Sequence, residues 1–258
     1  MECSKGFLFQ STHSKRLASP EETILAAPWQ RIGGCITWKI SSTVNMGRRA
    51  LPKINPDLDL SSHWKECASL GEDWQLDQLF ERNAPLEVEV GSGKGLFLQR
   101  ATACRPENNF AGIEVSQKYC RFAAARLARR ERTNAIMFHG DAFAVFARNI
   151  ADASLHAVHV YFPDPWWKKR HHKRRLITPD FLGVLGEKLQ LNGCLYIATD
   201  WQEYAEQIVH AVDATPVLCN QAGHLAFSER PDWRPLTKYE QRGLQLGHQV
   251  FDISAKKI

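Results

Sequence analysis

The sequence predicts an α/β protein built on a mostly parallel sheet with helices on both faces. Three observations carry this. Short apolar runs alternate with helical patterns from residue 86 to residue 213, as expected of βα units wound into a parallel sheet. A glycine-rich turn, Gly91-Ser92-Gly93-Lys94-Gly95, joins the first run to the first helical stretch. An acid stands in, or soon after, each of five apolar runs, on the side where open α/β sheets bind their ligands.

In chain order, residues 86–90 read as a strand, 95–102 as a helix, 110–115 as a strand and 117–130 as a helix. Residues 135–138 are a strand, 142–149 a helix and 155–162 a strand; 179–189 follow as a helix, 194–198 as a strand and 201–213 as a helix. Apolar alternation at 216–220 and 248–254 predicts two edge strands, which makes a seven-stranded sheet. Residues 1–45 keep no period of 2 or 3.6 and scatter Ser, Thr, Gly and Pro between isolated apolar residues. They are expected to be a poorly ordered extension. Met46, one of three methionines, opens Met46-Gly47-Arg48-Arg49-Ala50-Leu51-Pro52. The expectation is that the natural chain starts there and that residues 1–45 are a start-site artefact. A transit peptide fits less well, since Glu2, Glu21 and Glu22 are unwelcome in one. Residues 46–82 are then a lead-in, and 83–258 the main domain.

A chain of 258 residues, 44% hydrophobic and 24% charged, buries an ordinary globular core. No apolar run reaches the roughly 20 residues of a membrane helix, and the N-terminus lacks the pattern of a secretory signal. The seven cysteines are scattered, with no C-x-x-C pair, which argues for free thiols in a reducing compartment. The expected location is the cytoplasm. His171 and His172 lie amid cations and the other histidines lack ligand spacing, so no metal is expected.

The net charge of +5 is concentrated in one place. Residues 168–175 contain Lys168, Lys169, Arg170, Lys173, Arg174 and Arg175 and no acid; setting those six aside leaves 27 basic residues against 28 acidic ones. Such a block usually has a polyanionic partner, the plain alternative being a solvated loop. Immediately before it stands Phe162-Pro163-Asp164-Pro165-Trp166-Trp167. Each proline fixes its own φ and disfavours helix in the residue before it, so Asp164 sits on a stiff elbow. An aimed carboxylate, aromatic surface and a cationic run together point to nucleic acid.

The five acids are Glu89, Glu114, Asp141, Asp164 and Asp200. One would be unremarkable, because Asp caps helices and occupies turns; Asp141 alone reads equally well as the cap of the helix that follows. Glu89 lies in a strand buried on both faces, where an unpaired charge is costly, and so needs a ligand or a good partner. Gly91 and Gly93 allow a ligand to approach the backbone, and Glu114 falls where an acid holds ribose hydroxyls. Residue 96, the third glycine of a dinucleotide fingerprint, is leucine. A diphosphate would also face a ring of carboxylates. A ligand with a cationic centre, an ammonium and ribose hydroxyls suits that ring, and S-adenosyl-L-methionine is such a ligand.

The segments Glu89 to Gly95, Gly112-Ile113-Glu114, Phe162 to Trp166, Lys173-Arg174-Arg175, Ala198-Thr199-Asp200-Trp201 and Thr237-Lys238-Tyr239-Glu240-Gln241-Arg242-Gly243 together resemble the bacterial tRNA (guanine-N7-)-methyltransferases. The match runs in order from about residue 83 to 253, and residues 46–60 also resemble the start of some members. The elbow and the Thr-Lys-x-Glu-x-Arg segment are specific, whereas the glycine loop is shared by many methyltransferases. The resemblance implies a Rossmann-like S-adenosylmethionine-dependent methyltransferase fold over residues 83–258. It implies that Glu89, Glu114 and Asp141 bind the cofactor and that Asp164 serves both cofactor and catalysis. Lys168, Asp200, Thr237, Lys238, Tyr239 and Glu240 would contact substrate, and Lys169, Arg170, Lys173, Arg174 and Arg175 would contact RNA. The implied reaction methylates N7 of guanosine 46 in the variable loop of tRNA. The long extension and Trp167 are departures from the pattern.

Guanine N7 carries a lone pair and no proton, so the reaction needs positioning rather than a base to make the nucleophile. Asp164 is expected to stabilise the positive charge that moves onto the purine. Trp166 or Trp167 would stack on an unstacked base, or else cover the sheet edge. The alternatives are a methyltransferase acting on another RNA or a small molecule, and a non-catalytic RNA-binding protein. A methyltransferase for a small molecule or protein would not need the cationic run, and an RNA-binding protein would not need five strand-end acids. The chain is expected to act on tRNA as a monomer or a homodimer.

Overall fold

The computed structural model describes residues 51–71 and 73–258. The expected extension at 1–45 and the expected start at Met46 lie outside the described residues. The sheet has eight strands: β1 (Trp64–Glu66), β2 (Leu86–Val90), β3 (Asn109–Glu114), β4 (Ala135–His139), β5 (Leu155–Tyr161), β6 (Leu189–Thr199), β7 (Leu218–Asn220) and β8 (Phe251–Lys257). The helices are α1 (Leu96–Cys104), α2 (Gln117–Ala128), α3 (Ala142–Arg148), α4 (Pro179–Lys188), α5 (Gln202–Asp213) and α6 (Lys238–Gln245).

Strand order is β1-β4-β3-β2-β5-β6-β8-β7, parallel except that β8 runs antiparallel to both of its neighbours. From β2 the chain winds outward through β3 to β4, then returns to lay β5 on the other side of β2. The strand order therefore reverses between β2 and β5, and their C-terminal ends open the crevice where sheets of this kind take ligands. All five residues of β2 are buried, as a central parallel strand requires.

Three expectations are corrected. The sheet has eight strands rather than seven, because the lead-in adds β1 beside β4; three half-buried residues carry too little periodicity to be read from sequence. The last strand spans Phe251–Lys257 rather than 248–254, and lies inside the sheet, between β6 and β7. Gly247 and His248 instead close the C-terminus of α6, donating backbone N–H groups to Leu244 and Gly243. Strand β6 begins at Leu189 rather than 194, its register against β5 shifting between Leu155 and Ala157. Asn192, at φ 66°, makes that irregularity possible.

Candidate active site

The glycine turn leaves β2 and enters α1 through Gly95, whose φ is +67°; a Cβ there would lie 2.7 Å from the Ala123 side chain on α2. Glycine thus serves both the left-handed backbone and the close approach of two helices. Gly93, at φ +51°, donates its backbone N–H to Glu114 Oε2 at 2.8 Å. The other oxygen of Glu114 accepts from Ser116 N at 2.8 Å. The carboxylate is thereby fixed between the ends of β2 and β3, with lone pairs left over, since an ionised carboxylate accepts at about four sites.

Glu89 is buried, and its Oε2 has no hydrogen-bond partner in the protein. Burial pushes its pKa up to about 8; the Ser92 hydroxyl opposes the shift and the nearby Glu114 charge adds to it. An acid in such a place is costly unless something donates to it. An orphaned acceptor at the crevice fits a cationic or hydrogen-bond-donating ligand. Asp141 leaves β4 and caps α3, accepting from Phe143 N at 2.9 Å. It is therefore a helix cap, as its position also allowed.

Asp164 follows β5 on the expected elbow and is exposed. The backbone is forced on either side of it: Phe162 has φ 52° and Trp166 φ 46°. Such values cost of order 1–3 kcal/mol each in non-glycine residues and persist only where the surroundings enforce them. Two contacts do so. Phe162 N donates to Ala198 O at 2.7 Å, and Arg175 Nε donates to Pro165 O at 2.8 Å.

Arg175 corrects an expectation. Placed among the RNA-contacting cations, it is instead 3% exposed and ties the elbow to α5 through Gln207 and Glu203. The exposed cations of the run are Lys169, Arg170, Lys173 and Arg174, on the short 3-10 turn Lys169–Arg174. The two tryptophans separate. Trp166 is half-buried against His171, with the Arg174 guanidinium 5.1 Å above its ring. Trp167 is 61% exposed, with Lys168 Nζ 4.5 Å from the ring centre.

Tyr239, on α6, reaches the sheet edge and donates its hydroxyl to Asp200 Oδ2 at 2.6 Å. Partial desolvation of the hydroxyl, together with the bond to the charged Asp200, raises its pKa to about 12 although the residue as a whole is exposed. Its ring meets Phe162 edge-on at 5.5 Å, so the elbow, β6 and α6 converge. Thr237 caps α6, accepting from Glu240 N at 3.0 Å. Lys238 is the first residue of that helix. The expectation of a substrate-facing Glu240 is corrected. It is buried and engaged by Arg234 through Nη1 at 3.0 Å and Nη2 at 2.7 Å, and by Arg230 Nε at 3.2 Å. Arg234 also donates to Asp252 Oδ2 at 3.1 Å.

A second buried network has no counterpart among the residues singled out from the sequence. On the face of β2 shared with Glu89, Glu87 accepts from His159 Nε2 at 2.7 Å, Arg105 Nη2 at 2.8 Å and Asn108 Nδ2 at 2.6 Å. Burial lowers the His159 pKa against the pull of Glu87, so the ring is neutral and its other nitrogen accepts from the Tyr161 hydroxyl at 2.9 Å. Burial alone would raise Glu87; the hydrogen bond from the neutral His159 ring and the Arg105 charge outweigh it and hold the carboxyl below its ordinary value. The available signal was Glu87 itself, a second charge in a strand with no room for an unpaired one. Among the described residues no His, Cys, Asp and Glu are grouped to hold a metal ion, and no helix is long and apolar enough to cross a membrane.

Fold and site together define a Rossmann-like methyltransferase. Residues 83–253 match the family described as "Putative methyltransferase". A 30S ribosomal A1408 methyltransferase from an uncultured bacterium shares the fold, with a TM-score of 0.51 at 15% identity over 69% of this chain and 89% of that one. The particular family follows from closer relatives. A tRNA (guanine-N(7)-)-methyltransferase of Xylella fastidiosa strain 9a5c is 45% identical over 189 residues, 73% of this chain and 78% of its own. One from Rhodopirellula baltica is 42% identical over 220 residues, 83% of this chain and 81% of its own. The chain belongs to the tRNA (guanine-N(7)-)-methyltransferase family.

Proposed function

We propose that this chain transfers the methyl group of S-adenosyl-L-methionine to N7 of guanosine in tRNA, at position 46 of the variable loop. One observation carries the reading: Asp164 stands on a braced elbow at the exit of β5, across the strand-order reversal from Glu89 and its unpartnered oxygen. When bound, S-adenosyl-L-methionine supplies an electrophilic methyl group on a sulfonium centre. Glu89, Glu114 and Asp141 would hold it, with Gly91 and Gly93 giving it access to the backbone.

The residues of the chain then have little proton chemistry to do, because N7 presents a lone pair directly. Asp164 stabilises the charge that the purine gains, and its fixed backbone means little reorganisation at the moment of transfer. Lys168, Asp200 and Tyr239 offer polar groups at the rim to the target nucleotide, while Thr237, Lys238 and Glu240 set the start of α6 that carries Tyr239. Lys169, Arg170, Lys173 and Arg174 hold phosphates and orient the tRNA without reading its sequence. Trp167 has the exposed ring and is the one placed to stack on a base. The work is done in the cytoplasm.

The test is transfer of labelled methyl from S-adenosyl-L-methionine to an unmodified tRNA transcript, followed by nucleoside mapping. The expected product is 7-methylguanosine at position 46. Label in another nucleoside, or in none, overturns the reading.

A further inference from the structure

Glu66, His139 and Glu114 share one rung of the sheet, as direct partners across β1, β4 and β3. The rung is the last before the chain leaves β3 and β4 for the turns that bear the acids of the proposed cofactor site. His139 joins it to its surroundings. Its Nδ1 lies 2.8 Å and 2.6 Å from the two carboxylate oxygens of Glu66, and its Nε2 lies 3.1 Å from the carbonyl oxygen of Val115. Each ring nitrogen thus faces an acceptor, one on β1 and one just beyond β3. Val115 directly follows Glu114, and Asp141 stands two residues beyond His139. Between them Gly140 donates its N–H to Glu114 O at 3.3 Å. The lead-in supports this turn a second time, since a Cβ on Gly140 would fall 2.7 Å from Cys67 Sγ.

We propose that Glu66 and His139 are positioning residues for cofactor binding: the ring clamps the exits of β3 and β4 to β1, and so fixes the two turns that carry Glu114 and Asp141. The lead-in thereby forms part of the site, although none of its residues needs to touch the ligand. Turns ordered beforehand spare the ligand the cost of ordering them. The proposal rests on the reading that S-adenosyl-L-methionine binds at this sheet edge.

The test is calorimetric titration of the full chain with S-adenosylhomocysteine, which binds without turnover. Glu66→Ala is expected to raise Kd about fivefold to tenfold, the worth of roughly one hydrogen bond. Glu66→Gln, whose amide oxygen still accepts from Nδ1–H, should stay near the unaltered chain. With tRNA present, the KM for S-adenosyl-L-methionine should rise in Glu66→Ala while kcat holds. An unchanged Kd in Glu66→Ala, at temperatures where it is folded, overturns the clamp, as does a Glu66→Gln as weak as Glu66→Ala. Should Glu66→Ala fail to fold, the ring N–H resonances of His139 in the unaltered chain decide: they are expected to shift on adding S-adenosylhomocysteine, and unmoved signals overturn the proposal. Absence of binding by the unaltered chain is a different result, since it removes the cofactor reading itself and this proposal with it.

Discussion

Arg234 grips both carboxylate oxygens of Glu240 from a position that neither side chain shares with solvent. The same guanidinium reaches Asp252 on β8 and lies 5.7 Å from the ring centres of both Tyr161 and Phe162. One cation therefore ties the base of α6 to β8 and to the start of the elbow. Removing one member of a buried ion pair leaves the others charged and unpaired, which typically costs about 3–5 kcal/mol. Arg234→Ala is expected to lose that much in urea denaturation. Arg234→Lys should recover little, because an ammonium cannot make the two-pronged contact. A loss below about 1 kcal/mol, the usual worth of an exposed pair, would show that the cluster is not the anchor of α6.

The contrast between Glu240 and Asp164 shows what the sequence discloses. Asp164 is readable because two flanking prolines restrict the backbone locally, and local restriction is visible in one dimension. The alternation of strands and helices is readable for a similar reason, periodicity being a local property. Glu240 and Arg175 are misplaced by sequence reasoning because burial is decided by the fold: Arg234, only six residues before Glu240, is itself buried where it also meets Asp252 on β8, and Arg175 is drawn in by Gln207, 32 residues on. A charge in a basic or polar segment looks solvated until tertiary structure buries it. The pairing of Glu66 with His139, 73 residues apart, leaves no local trace at all.

Glu89 should set stability against binding. Its pKa is about 8 in the folded ligand-free chain against an ordinary 4.5. A group whose pKa is raised on folding contributes its stability below the unfolded value and loses it as pH rises through the folded value. The ligand-free protein should therefore lose stability between about pH 4.5 and pH 8. Glu89→Gln removes the titration and should raise stability at pH 8 by roughly 1–3 kcal/mol. The same change should weaken S-adenosylhomocysteine binding at least tenfold. Denaturation midpoints at pH 6 and pH 8, paired with calorimetry, test both. A variant no more stable than the parent at pH 8 would show that the buried carboxyl is satisfied in some other way.

The basic segment should divide into two kinds of cation. Neutralising Lys173 and Arg174 together should flatten the dependence of log K for tRNA on log salt by about 0.7–0.9 for each phosphate that is no longer neutralised, with little change in melting temperature. Arg175→Ala should do the reverse. It removes the guanidinium that holds Pro165 O and reaches α5, so the salt slope should hold while stability falls by about 2–4 kcal/mol. Filter binding across a salt series beside thermal melts would show it. Equal slope changes for both variants would return Arg175 to the RNA-facing set.

Asp164 is the residue on which transfer should depend. Its carboxylate is exposed, so replacing it leaves no buried partner stranded. The elbow is held by the backbone of Phe162 and Pro165 rather than by the Asp164 side chain. Asp164→Asn should therefore melt within a degree or two of the parent and bind tRNA comparably. Its kcat should nevertheless fall by about 100- to 1,000-fold, the scale of one lost electrostatic stabiliser of the transition state. Asp164→Ala should fall at least as far, and Asp164→Glu should recover only part, because the longer side chain moves the charge off the position the elbow fixes. Single-turnover methyl transfer with saturating tRNA separates chemistry from binding. A variant with near-parental single-turnover rate and weakened cofactor affinity would make Asp164 a binding residue alone, and would shift the stabilising charge to Glu89 or Asp200.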